Sequence, residues 1–249
     1  MEAKMLRRII VLFTIALLSC DSENANDCFQ TSGTPIVKEF VVDDFKKINI
    51  SEGIELIIKQ GPEKKVVVKT GKNLIDGITV EVQNEELFLR NSNGCNWVRD
   101  YNTTQVYVTT PTLINVYSSS QFGVKSDGIL SFPSLGLQSG MFNDTASGTF
   151  ELQVDCTNLS IEDNKNTYFA VSGVTQSLTV GFYNGNARLD ASNLTAKEVH
   201  VFQRSSNDII VKPTDKLTGT IYSTGNVVLK SVPPVVEVTQ LYQGRVVYP

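Results

Sequence analysis

Five aspartates, Asp127, Asp144, Asp163, Asp190 and Asp208, with Arg188 and Arg204 close by in sequence, are the side chains best suited to acid–base work. Glycoside hydrolysis needs two carboxyls facing one bond, and polysaccharide lyases need acidic calcium ligands beside a basic residue. Most of these aspartates fall between apolar segments, where Asp commonly bonds its own backbone in a turn. No two of them share a phase with a base between. The single histidine, His200, alternates with Val199 and Val201, which puts it on the solvent side of a strand whose valines face inward. No Gly-x-Ser-x-Gly elbow, phosphate loop or dinucleotide fingerprint occurs. The expectation is a protein with no catalytic residues, no cofactor and no metal site.

The cysteines carry different chemistry. Lys4, Arg7 and Arg8 precede an apolar run, Ile9 to Leu18, that stops at Ser19-Cys20. A basic start and an apolar run too short to cross a bilayer read as an export signal. The Leu17-Leu18-Ser19-Cys20 tail resembles the lipobox of bacterial lipoproteins, which implies cleavage before Cys20 and acylation of that residue. Several acyl chains, each buried methylene contributing about 0.8 kcal/mol, would hold the protein to a membrane. Cys28 and Cys95 lie in polar, turn-rich stretches and are expected to pair in an oxidising compartment. Cys156 follows Val154-Asp155 inside an apolar ladder and reads as a small buried hydrophobe. No two cysteines lie within four residues of each other, so zinc-type spacing is absent.

One stretch could recognise a ligand without doing chemistry. Asn91 to Asn102 holds the sole tryptophan, Trp97, beside Arg99 and Tyr101, next to Cys95. It either displays aromatic and polar groups for recognition, sugar stacking included, or lays Trp97 over an open apolar end.

The elements that must position these groups are strands. Short apolar triplets begin at Leu113, Leu135, Leu159, Leu178, Val199 and Leu217, and a second set is centred on Phe150, Phe169, Leu189, Ile210 and Val228. The steps within each set run from 18 to 24 residues. A period near twenty carrying two period-two strands and Gly/Asn/Asp/Ser corners predicts a β-solenoid, whose coils bury inward residues only against their neighbours. Ahead of it, Phe40–Val42, Ile48–Ile50, Ile54–Lys59, Val66–Thr70, Ile78–Val82 and Leu87–Arg90 are spaced more tightly. They predict hairpin or sandwich-like pairing that closes the first coil. Val232-Pro-Pro-Val235 must leave the ladder, since proline lacks the amide donor, and Val235–Val238 and Arg245–Tyr248 predict short strands over the last coil. The formal charge is −4 over 249 residues, and with residues 1–19 removed it becomes −6 because three basic and one acidic side chain go. No basic stripe is available to replace counterions on phosphates, which argues against nucleic acid.

Phe45-Lys-Lys-Ile48-Asn-Ile50-Ser-Glu-Gly53-Ile54-Glu-Leu56-Ile-Ile58-Lys-Gln-Gly61, followed by Val66-Val-Val68, resembles the opening motif of the auto-transporter adhesin head GIN family of Bacteroidetes envelopes. The similarity spans roughly residues 38–240. It implies a right-handed parallel β-helix and an adhesin role. The family's usual ending of repeated Ser-Gly-Ser-Gly-Asp turns is softened here to Ser223-Thr-Gly225-Asn226 and Leu241-Tyr-Gln-Gly244. The whole reading is an all-β chain with strand caps at both ends: signal peptide 1–19, lipidated acidic tether 20–36 and solenoid 37–249. Its expected role is non-enzymatic, adhesin-like binding of a glycan or cell-surface protein. Its expected place is the cell envelope, lipid-anchored in the outer membrane, with the periplasmic or surface side left open and Asp21 and Glu23 resembling the anionic export signal of surface lipoproteins. A carbohydrate-active enzyme and a structural or signalling envelope component are the alternatives. A groove holding two carboxylates within about 10 Å would favour the enzyme.

Overall fold

In the computed structural model the described residues are 29–95, 100, 104–142 and 146–249. Seventeen strands run in chain order as β1 (Pro35–Phe40), β2 (Lys47–Ile50), β3 (Glu55–Gln60), β4 (Lys65–Gly71), β5 (Ile78–Gln83), β6 (Glu86–Asn91), β7 (Gln105–Thr110), β8 (Asn115–Ser118) and β9 (Val124–Leu130). They continue as β10 (Ser134–Ser139), β11 (Thr149–Asp163), β12 (Tyr168–Phe182), β13 (Arg188–Gln203), β14 (Ile209–Ile221), β15 (Val227–Leu229), β16 (Val235–Gln240) and β17 (Val246–Val247). The four long strands each bend midway and serve two faces. The result is a β-solenoid of about six turns.

Two ladders make the walls. One stacks β5, β6, β2, β8, β10, the second halves of β11 to β14, and β16. The other stacks β1, β4, β7, β3, β9, the first halves of β11 to β14, β15 and β17. Leu135, Leu159, Leu178, Val199, Leu217 and Val236 occupy one register position on successive rungs. The first five are buried, as a column of inward residues requires. Between the ladders the Phe150 and Phe169 rings stack at 4.9 Å, and Phe182 follows at 6.0 Å.

The second column differs from expectation by one residue. Its register runs Phe150, Phe169, Leu189, Ile209 and Val227, so Ile210 and Val228 face outward. Ile209-Ile210-Val211 and Val227-Val228-Leu229 are uninterrupted apolar runs, and with period two either phase of such a run could face the core. Burial of Ile209 and Val211 decides it.

The amino-terminal half also departs from a simple hairpin cap. β1, β4 and β5 are antiparallel and close that end of the stack, whereas β2, β3, β6 and β7 join the ladders as parallel rungs. The β2–β3 coil lies between the β6–β7 coil and the β8–β9 coil, so the chain lays down its second layer before its first. Strand spacing cannot show this, because order in space is decided by which edges remain open when later strands arrive. At the other end β16 and β17 cover the last coil by adding parallel rungs.

One corner is lined with buried polar groups. Ser118, Ser120, Ser139, Asp163, Thr167, Gln203 and Ser205 are all buried there. They serve the backbone of neighbouring coils: Ser120 Oγ donates to Ile54 O at 2.7 Å, Ser139 Oγ to Ser118 O at 2.8 Å and Ser205 Oγ to Ala187 O at 2.9 Å. Turns pack against turns here, and backbone carbonyls that leave the ladder need such donors.

Candidate functional site

A groove on the outer surface lies on the second ladder, across β9, β11, β12 and β13. It has a volume of about 470 Å³ and is lined by Glu151, Gln153, Ala170, Ser172, Asp190 and Ser192, among others. Outward positions recur every second residue along each strand. On β12 they are Tyr168, Ala170 and Ser172. Thr149, Glu151 and Gln153 stand beside them on β11, and Arg188 and Asp190 on β13. Ala170 is the smallest of the set. With strands about 4.8 Å apart, the Glu151 and Asp190 backbones stand about 10 Å apart across it.

Irregularities in register raise the walls. Lys125 pairs with Glu151 and Ile129 with Gln153, so Ser126, Asp127 and Gly128 of β9 arch out where β11 has only Leu152. Gln153 N donates to Ser126 Oγ at 2.9 Å and ties the arch down. On β13, Ala191, Ser192 and Asn193 stand where β12 has only Val171 and Ser172. Such bulges re-aim side chains locally. The slot therefore has two regular rungs for its floor and an outward bulge beyond each wall.

Its electrostatics are ordered. Asp190 Oδ1 accepts the Ser192 backbone N–H at 3.1 Å. The Ser192 side chain and backbone, with Arg188 and Lys230 nearby, hold the Asp190 carboxyl below the usual carboxylate range. One outward position along the strands from Ala170, beside the groove, the Arg188 guanidinium lies 5.9 Å from the centre of the Tyr168 ring, which is 37% exposed. The side-chain amides of Gln153 and Asn193 and the carboxylate of Glu151 point outward and are exposed.

The aspartates singled out from sequence are scattered. Asp127 pairs with Lys59 at 3.0 Å on the surface. Asp208 Oδ1 accepts from Asn226 N and Nδ2, both at 3.0 Å, as a turn brace. Asp163 is buried in the polar corner, and Asp144 lies outside the described residues. Arg204 is exposed in a turn, its backbone N–H given to Phe182 O at 2.9 Å. Among the described residues of that set, Asp190 lines the groove. Its partner across the slot is Glu151, which sequence reasoning missed because a shared rung position appears only once Glu151, Ala170 and Asp190 are in register. His200 is exposed, with Nδ1 2.9 Å from Thr218 Oγ1. Cys156 is buried, and burial pushes its thiol up. Cys20, Cys28, Trp97, Arg99 and Tyr101 lie outside the described residues, while Cys95 closes the segment that follows β6.

Several solved structures have a similar fold. An adhesin, described as putative, from Bacteroides fragilis is 17% identical, covers 88% of this chain and 99% of its own, and superposes with a TM-score of 0.78. A putative lipid binding protein from Parabacteroides distasonis is 16% identical over 87% of this chain and 98% of its own, with a TM-score of 0.63. A putative adhesin from Parabacteroides merdae is 14% identical over 88% and 98%, with a TM-score of 0.60. No functionally curated protein matches the sequence. Residues 44–233 match the family described as "putative auto-transporter adhesin, head GIN domain", and the chain belongs to that family.

Proposed function

We propose that the protein is a non-enzymatic, adhesin-like binding module of the cell envelope, lipid-anchored at Cys20 to the outer membrane, with a glycan as its ligand. The observation that carries the glycan reading is the lining of the slot. Carboxylates, amides and hydroxyls gather there around a small floor, on strands whose backbone loses little freedom on binding. Family membership and the adhesins among its structural relatives support the adhesin role and the envelope location. The basic and apolar start of the chain and the Leu-Leu-Ser-Cys tail support residues 1–19 as signal and 20–36 as tether. Trp97, Arg99 and Tyr101 are proposed as a second contact on the loop that follows β6.

A Cys28–Cys95 disulfide is proposed to secure that loop. Asn73 Nδ2 donates to Thr31 O at 3.1 Å and Asn93 Nδ2 donates to Leu74 O at 2.9 Å. The chain just after Cys28 and the chain just before Cys95 thus rest on the same turn.

Hydrolysis of a glycoside is the second reading, because Glu151 and Asp190 flank Ala170 on one rung and place two carboxyls in one groove. Such an enzyme needs one carboxyl kept protonated near neutrality. Asp190, held ionised, would have to be the base, which leaves Glu151 to supply the acid. A glycan array probed with the acyl-free domain tests the proposal: retention on sugar spots supports it, and an array that stays blank while the domain is captured by protein-coated surfaces sinks the glycan reading. Release of reducing ends from a bound glycan would move the protein to the second reading.

A further inference from the structure

We infer that the slot over Ala170 is a subsite for a single uncharged pyranose ring, held between Glu151 with Gln153 on one side and Asp190 with Ser192 on the other. The inference rests on the glycan reading above and narrows it to a place and a sugar class.

Width is the first argument. Backbones about 10 Å apart, each carrying an outward side chain, leave room for one ring set on edge above Ala170. The outward side chain of the rung between is a methyl group, where its neighbours along the ladder are Glu151 and Asp190. A larger residue at 170 would close the slot. The second argument is polarity. A pyranose presents hydroxyls around its rim and C–H groups on its faces. The rim meets carboxylates, which accept from vicinal hydroxyls, and the amides of Gln153 and Asn193, which donate to sugar oxygens. The C–H groups meet the Ala170 floor.

Charge is the third argument, and it sets the class. Both walls carry a carboxylate, and Asp190 is held ionised by Ser192. Of the nearby cations, Lys125 is already given to Glu55 at 2.8 Å, and Arg188 and Lys230 already act on the Asp190 carboxylate. A uronate or sialate placed in the slot would meet two like charges within a few ångströms, whereas a neutral hexose or N-acetylhexosamine would not.

The experiment uses the acyl-free domain on an array of neutral, N-acetylated, uronate and sialate glycans, followed by calorimetry with the best-bound oligosaccharide. Retention on neutral or N-acetylated spots is expected for the wild type. Ala170→Trp should weaken that binding at least tenfold with the thermal melt unchanged, because residue 170 points away from the core. Asp190→Asn keeps an acceptor for Ser192, so the fold is retained if the tryptophan variant does not express, and it should weaken binding at least tenfold as well. Asn158→Ala, on the other ladder, should leave the affinity as it is. Undiminished affinity in the slot variants overturns the inference and leaves the glycan reading standing. Retention confined to uronate or sialate spots overturns it too. A blank array removes the glycan reading and the slot together.

Discussion

A carboxyl oxygen that is buried without a hydrogen-bond partner, as Asp163 Oδ2 is, costs stability in its charged form. Asp163 Oδ1 accepts from Lys165 N at 2.6 Å, yet burial dominates and pushes the carboxyl up from 3.8 to about 6. The native state therefore holds a proton that the unfolded chain has released between those two values. Stability from this group is fully present below pH 3.8 and is lost as pH rises through about 6. The difference corresponds to about 3 kcal/mol. Asp163→Asn should be more stable than the parent at pH 7.5, by about 1–3 kcal/mol, with the gain gone at pH 3.5. Urea unfolding at the two pH values measures this, and a variant weaker at pH 7.5 would show that the carboxylate is stabilising after all. Asp190 of the slot goes the other way from Asp163, because Ser192 donates to its carboxylate. Cys156 is the quiet counterpart: buried and with its thiol pushed up, it has little thiolate to react with.

Strands that bend midway create the groove, and the bend has a specific requirement. Gly173, the residue after Ser172, has φ +112°, and an added Cβ would stand 1.9 Å from Val154 O. No side chain fits there without moving backbone. Gly173→Ala should destabilise the domain by about 2 kcal/mol or more and disturb the slot next to it, seen as a lower melting temperature together with weaker glycan retention. Packing between the ladders rests on large residues in stacks. Phe169 is fully buried between Phe150 and Phe182, and Phe169→Ala should cost about 3–5 kcal/mol because flanking rungs cannot close the gap. Chemical denaturation gives that number, and a cost below about 1 kcal/mol would mean that the stack relaxes freely. The turn corner works by hydrogen bonds in place of packing. Its serines and threonines are small enough to sit inside the coil and still reach a carbonyl of the next one.

For the whole molecule, stacking sets where the slot stands relative to the tether. β1 lies at the far end of the second ladder, and β12 is six strands further along it, about 29 Å at 4.8 Å per strand. Cys20→Ser should abolish incorporation of labelled palmitate and release the protein from sedimented membranes. If Cys28 and Cys95 are joined, reduction should speed hydrogen exchange in residues 29–34 and leave the ladders protected, and mass mapping that finds both thiols free would remove the link. By itself the sequence determined that the chain is β, that its coils repeat near every twenty residues, and that Leu159, Leu178, Val199 and Leu217 form one column, because alternation and period are local properties written along the chain. It could not choose between Ile209 and Ile210, since an unbroken apolar run has no phase of its own. Only the tertiary structure decided that β2–β3 lies between later coils and that Glu151 faces Asp190 over Ala170. Those relations come from register between strands that are neighbours in space, and a bulge of one residue is enough to change them.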